Sequence, residues 1–251
     1  MAAIPPGEHT AKRHDGGLTT ASRPQKFTCE EDENELWLVK LAGNTHGGGK
    51  GIFNEQVAGL AGRLLAAPVA GVALVRVPQA LAEALSQDPT LQLDYVPEPG
   101  VHHGSLWVGA NMSDRMGIAY VDENRERLGA LQVLYTWLAC ASDHQWIYDN
   151  DAPHEVFSVD HMAFFPNGPH WTEAGLQASV GNVTLDPAFS PAGLTASDRA
   201  STVARLKNVT DQEIAEIVAR PPDEWGVTLS ERIAVASYLS ERRERVVDVC
   251  S

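Results

Sequence analysis

Asp143 and Asp160 stand 17 residues apart (160 − 143), each followed by histidine and each delivered to a loop by an apolar element. A lone loop aspartate is usually a turn or cap residue. Two of them flanking a short hairpin suit phosphoryl transfer, in which one carboxylate positions an attacking hydroxyl while another holds Mg²⁺ on nucleotide phosphates. Such chemistry also needs a cation for the phosphates. Lys40 interrupts the apolar strand pattern Leu36-Trp37-Leu38-Val39-Lys40-Leu41, and a lysine there must either snorkel to water or meet anions. Glu55, 15 residues on (55 − 40), is a candidate anion.

The elements that position these groups follow from periodicity. Phe53, Val57, Leu60 and Leu64 recur at helical spacing, which predicts a helix ending before Pro68. At about 100° per residue Glu55 falls opposite that stripe, beside Gly59, Gly62 and Ala66. Small residues let another backbone approach closely, so this side is also expected to pack. A glutamate on a packed face needs a cationic partner, and Lys40 is the plausible one.

Gly71 to Val77 reads as a buried strand, and Leu128, Leu131, Tyr135 and Leu138 stripe a helix over 124–141 that ends at Ser142-Asp143-His144. A short strand, Glu155 to Val159, then delivers Asp160-His161. The acidic run Glu30 to Glu35 reads as a hairpin turn, residues 1–15 as a flexible tail, and 79–122 yield no assignable element. Thr210-x-x-Glu213 and Thr228-x-x-Glu231 are capping boxes, and the basic run Glu241 to Arg245 is expected in the last turns of the final helix, where cations favour the dipole.

Gly47-Gly48-Gly49-Lys50-Gly51 invites a phosphate-loop reading, but GxxxxGK[ST] needs Gly at position 44 and Ser or Thr at 51, where Asn44 and Gly51 stand. A loop entering a helix is the better reading. A net charge of −14 argues against nucleic acid and an anionic membrane surface as partners. The three cysteines, Cys29, Cys140 and Cys250, are widely spaced, and neither a signal-like nor a spanning apolar stretch is present, so the expected location is cytoplasmic.

From about residue 16 onward the chain resembles the HipA-like kinase family. The resemblance rests on Gly16-Gly17 through Ser22-Arg23-Pro24, Trp37-Leu38-Val39-Lys40 with Asn54-Glu55, and Leu65 through Val69. It continues through His103-Gly104-Ser105, Ser158 through Phe164, Pro222-Asp223-Glu224-Trp225 and Glu241 to Arg245. The resemblance implies an α+β, protein-kinase-like, two-lobed fold: a small β-rich N-lobe over 16–78 and a helical C-lobe over 79–251. It implies ATP and Mg²⁺ as cofactors, with Lys40, Glu55, Ser22 and Arg23 on the nucleotide, Asp160 on the metal, and Asp143 receiving the proton of an unidentified hydroxyl acceptor. One departure matters. The family's Asp-Arg-His-x-x-Asn would place a second metal-ligating Asn where Tyr148 stands, and a phenol is a poor Mg²⁺ ligand. Gln145 or Asn150 is a candidate substitute, and a pseudokinase that binds without turnover is the alternative function. A third reading takes Asp143-His144 and Asp160-His161, with His154 and His170, as ligands of a metal hydrolase.

Overall fold

Short strands separated by turns and one long buried helix make up the N-terminal part of the chain. In the computed structural model, residues 7–18, 20, 22–43, 48–91, 93, 95–108, 110–112, 122–140, 142, 144–149 and 154–251 are described. Five strands, β1 (Glu8–Gly17), β2 (Gln25–Cys29), β3 (Leu36–Lys40), β4 (Val72–Val77) and β5 (Gly100–Leu106), close a barrel in the order β1-β2-β3-β5-β4. The β2–β3 hairpin carries the acidic turn, as its charge run predicts.

Two expectations are corrected here. Residues 8–15 are strand, not tail: β1 pairs antiparallel with β2 and parallel with β4, and so closes the barrel through its backbone. Its side chains bury one apolar residue, Ala11, which is why the sequence shows no apolar period. The β-rich part also runs past residue 78, because β5 lies between β3 and β4. That strand escapes pattern reading because His102 and His103 fill buried positions where an apolar residue is expected.

Helix α1 (Gly48–Leu65) is buried continuously from Gly51 to Gly62. The face opposite its apolar stripe is packed, as its small residues predict. Any Cβ on Gly62 would come within 2.6 Å of a Val69 methyl, and one on Gly59 within 2.8 Å of one Val72 methyl and nearer the other. The helix thus lies directly against β4 and the segment leading into it.

After α2 (Gln79–Gln87) and β5, the chain forms a small antiparallel sheet of β6 (Ala110–Met112), β7 (Gln145–Asp149) and β8 (Val156–Val159). The remainder is helical: α3 (Asp122–Leu138), α4 (Glu173–Ser179), α5 (Ala196–Asn208), α6 (Asp211–Ala219) and α7 (Leu229–Cys250). Both expected capping boxes form, at the starts of α6 and α7. The basic run lies in α7 but short of its last turn. Its Arg242 is buried and donates to the carbonyls of Thr136, Trp137, Ser179 and Asn182, so it acts as an internal staple and not as a dipole cap.

Two apolar cores result. One fills the barrel, with Phe27, Trp37, Val39 and Val75. The larger unites α1 with the C-terminal helices through Phe53, Val57, Leu131, Trp137, Trp171 and Leu239. The close approach of α1 to β4 generates a test. Gly→Ala inside a helix ordinarily gains about 1 kcal/mol, but Gly59→Ala is expected to lose about 1–3 kcal/mol through overpacking against Val72. Val72→Ala in the same chain should relieve part of that loss, read as a non-additive pair of denaturation midpoints. Strict additivity would show that the helix has room to shift.

Candidate functional site

The site is assembled where the two cores meet. Lys40 closes β3, opposite His103 of β5, and its ammonium donates to Glu55 Oε1 of α1 and to Asp160 Oδ1 at 2.6 Å. Glu55 uses its second oxygen as well, accepting the His161 backbone N–H at 2.7 Å. The Lys40 and Glu55 side chains are 8% and 3% exposed, whereas Asp160 is 25% exposed, so Asp160 is the member that faces outward.

Asp160 sits directly after β8 with φ of +58°, in the left-handed region. A non-glycine residue there costs roughly 1–3 kcal/mol and persists only where its surroundings hold it. Here the next residue is fixed to Glu55 through its N–H. The turn brings the carboxylate back over Lys40 and leaves Oδ2 accepting from Gln145 Nε2 at 3.3 Å.

Electrostatics follow from two carboxylates sharing one ammonium. Burial alone would lower the Lys40 pKa, but Glu55 and Asp160 outweigh it and hold it above the ordinary lysine value. Burial, the largest influence, and the nearby Glu55 raise Asp160 above the usual carboxylate range despite Lys40. The imidazole of His161 is pushed down to about 4, chiefly by burial and further by Lys40, with Asp160 opposing. His103 is likewise well below its ordinary value, through burial, then Lys40 and His161. Both rings are therefore neutral at neutral pH. His103 Nδ1 donates to Gln56 Oε1 at 2.8 Å, while His161 Nε2 lies 2.9 Å from Ser158 Oγ, itself 2.6 Å from the Tyr135 hydroxyl.

A cavity of about 200 Å³ opens above this group. Leu18, Pro24, Leu38, Leu106, Ile147 and Val159 give it apolar walls, and Lys40, Glu55, Asp160 and Gln145 give it a polar floor. Ser22 is buried and lines it, whereas Arg23 is not among its lining residues and contributes a carbonyl that accepts from Gln25. A wider hollow of about 490 Å³ beside α2 contains none of the charged group. Asp143 lies outside the described residues, as do Asn150 and Gly47.

Tyr148 is corrected by strand alternation. Gln145 and Ile147 face the cavity, while Trp146 and Tyr148 point to the other side of β7 and pack on the helical core. The residue that stands beside Asp160 is therefore Gln145. Sequence offset alone points to position 148; of the two candidate substitutes, Gln145 and Asn150, the alternation of β7 brings Gln145 to Asp160. The Gly-rich stretch begins α1, and Lys50 pairs with Glu231 at 2.6 Å and lies over the Trp171 ring at 4.0 Å, far from any phosphate-loop role. The histidines of the hydrolase reading are dispersed. His144 bonds Asp186 at 2.8 Å, His154 meets Tyr148 edge-on, and among the described residues no group of three or more His, Cys, Asp or Glu side chains is arranged to hold a metal.

The donor set nevertheless suits Mg²⁺ brought in with phosphates. Mg²⁺ takes hard oxygen ligands, typically one or two carboxylates plus phosphates and waters. Asp160 is of that kind, and Gln145, whose NH₂ faces Asp160 here, would offer its amide oxygen once turned over. The charged trio carries one uncompensated negative charge (+1 − 1 − 1) that a cation would balance.

No family model matches this chain, and no curated protein matches it in sequence. Among solved structures it is similar to the Helicobacter pylori proinflammatory kinase CtkA, with a TM-score of 0.61 over 98% of this chain and 96% of that one, at 12% identity. It also aligns with hydra Fam20, from a structure with sugar, with a TM-score of 0.47 over 97% of this chain and 84% of that one, at 14% identity. The CtkA likeness shows a kinase-like fold, with its β-rich N-terminal and helical C-terminal regions. Among the described residues no helix is long and apolar enough to cross a membrane.

The depressed His161 pKa makes stability pH-dependent. With an ordinary value of 6.5 unfolded and about 4 folded, the unfolded chain binds the extra proton between them. His161 therefore removes stability as pH falls from about 6.5 towards 4, on the order of 3 kcal/mol in all. His103 acts in the same direction and Asp160 in the opposite one. His161→Gln removes one titration and should flatten the fall in unfolding midpoint over this window. An unchanged slope would show that His161 is not held neutral.

Proposed function

We propose that this chain is a HipA-like kinase-type phosphotransferase that binds Mg-ATP in the cleft and transfers the γ-phosphate to a hydroxyl acceptor. The observation that carries the reading is the contact of Lys40 with both Glu55 and Asp160, from strand, helix and loop, on the floor of a cavity in a kinase-like fold. Kinases require such a lysine–glutamate pair and a metal-holding aspartate in place together.

In this reading the apolar walls take the base, and Lys40, fixed by Glu55, neutralises the α- and β-phosphates. Ser22, which lines the cavity, covers the phosphates, and Asp160 and Gln145 are the residues that would hold Mg²⁺. Bound Mg²⁺ would supply charge neutralisation along the phosphate oxygens. Asp143 accepts the proton of the acceptor hydroxyl as its oxygen bonds the γ-phosphorus and the bond to the leaving ADP oxygen breaks. The acceptor's class is open between protein and small molecule.

A second reading, nucleotide binding without turnover, is favoured by spacing. In the kinase catalytic loop the metal-ligating Asn follows the catalytic Asp by about five residues. Gln145 follows Asp143 by two (145 − 143), and five residues before Gln145 stands Cys140.

Saturating Mg-ATP, at about 100 times its dissociation constant, stabilises a fold by roughly 2.7 kcal/mol. For a chain of this size that is several degrees of unfolding midpoint. Asp160→Asn should leave the ligand-free midpoint equal or higher, since it leaves Lys40 and Glu55 as a balanced pair, while losing the Mg²⁺-dependent part of the shift. A folded wild type whose midpoint ignores millimolar Mg-ATP would end both nucleotide readings. Turnover separates them: ADP formation that Asp143→Ala abolishes supports the phosphotransferase.

A further inference from the structure

Asn54 is completely buried, yet it is a polar residue in the middle of α1, one position before Glu55. Burying an amide is costly unless its hydrogen bonds are met. Its partners all lie downstream of Asp160. Asn54 Nδ2 donates to the carbonyls of Met162 and Phe164, both at 2.9 Å, and Asn54 Oδ1 accepts from the Trp171 indole N–H, also at 2.9 Å. Because Trp171 can only donate, it fixes which end of the amide is oxygen and so aims the NH₂ at the two carbonyls.

The neighbouring Glu55 holds the same segment from the other side, through the His161 N–H. Four residues after β8 are thus bound to two consecutive residues of one helix. The helix itself is immobilised: Trp171 packs on Phe53 at 6.1 Å between ring centroids, and Lys50 lies over Trp171 while pairing with Glu231.

We infer that Asn54 is a positioning residue that fastens the loop carrying Asp160 to α1, so that Lys40, Glu55 and Asp160 form one rigid unit before any ligand arrives. The inference rests on reading the cleft as a Mg-ATP site only for its consequence, that Asn54 sets the metal affinity of Asp160. Groups that orient a metal ligand typically govern metal affinity or activity by about 10–100-fold. Asn54 is neither among the residues lining the cavity nor bonded to Lys40, so nucleotide affinity without metal should not depend on it.

The test uses Asn54→Asp, which keeps shape and the Trp171 acceptor but turns both donors into a carboxylate facing two carbonyls. Trp171→Phe, a milder change, keeps the aromatic ring and removes the orienting N–H. Two measurements are made on the full chain: backbone hydrogen exchange of 158–165 without ligand, and calorimetric ATP affinity with Mg²⁺ and with EDTA. The expected result is exchange of 158–165 faster by tenfold or more in Asn54→Asp, with α7 and the barrel unchanged. ATP affinity should fall about tenfold or more with Mg²⁺ and stay within about twofold in EDTA, with Trp171→Phe intermediate in both. Unchanged exchange overturns the fastening, as does an equal loss of affinity with and without metal. If wild type binds no Mg-ATP, the nucleotide reading fails, and exchange alone still decides whether Asn54 fastens the loop. If Asn54→Asp does not fold, Trp171→Phe decides on the same two readouts.

Discussion

One lysine ammonium, removed from water and placed between two carboxylates, sets the terms for the rest of this molecule. Desolvating such charges costs several kcal/mol per ion, and the cost is offset only where geometry and additional hydrogen bonds are good. Here Glu55 uses both oxygens and Asp160 is drawn in by a left-handed turn, so every charge has partners. Two buried histidines adjoin the group, and both are kept neutral by burial and by Lys40. Titrating either ring would add a second buried cation beside Lys40.

The same interaction joins the two cores. Val39 and Leu41, on either side of Lys40, belong to the barrel core, whereas Phe53 and Val57, on either side of Glu55, belong to the helical core. The charged group is therefore the polar seam between two apolar bodies, with the cleft opening along it. Small residues in α1 let β4 come close enough for this, and pairing with β2 on one side and β5 on the other keeps β3 from being an edge strand. A lysine at the end of an edge strand would have turned to water.

This arrangement explains what was legible in the sequence. Lys40 and Glu55 were readable because a charge inside an apolar pattern, and a charge on a small-residue face, each demand a partner. The helices of the second half were readable from caps and stripes, which are local devices. β1 and β5 were not. The first is held by backbone pairing and the second buries histidines. Gln145 was readable only as one of two candidate substitutes for Tyr148, because its choice depends on the alternation of a strand whose start the sequence did not disclose. Asn54 was visible only as part of a resemblance, since nothing in a helical pattern says which carbonyls a buried amide will meet, 108 and 110 residues away.

The imbalance within the seam bears on how such a cleft could take a nucleotide. A triphosphate is a polyanion, and it approaches a floor that already holds one negative charge more than positive. In a partly buried cleft, like charges repel far more strongly than in water. Lys40 cannot relieve both problems at once, because each contact it makes with a phosphate loosens its hold on Asp160. In the proposed reading, a divalent cation held at Asp160 would supply the positive charge that the floor lacks, leaving Lys40 to the phosphates while Glu55 keeps it in register. On that reading metal and nucleotide would be mutually dependent ligands, and the Lys40–Asp160 contact is what holds the aspartate in position for them.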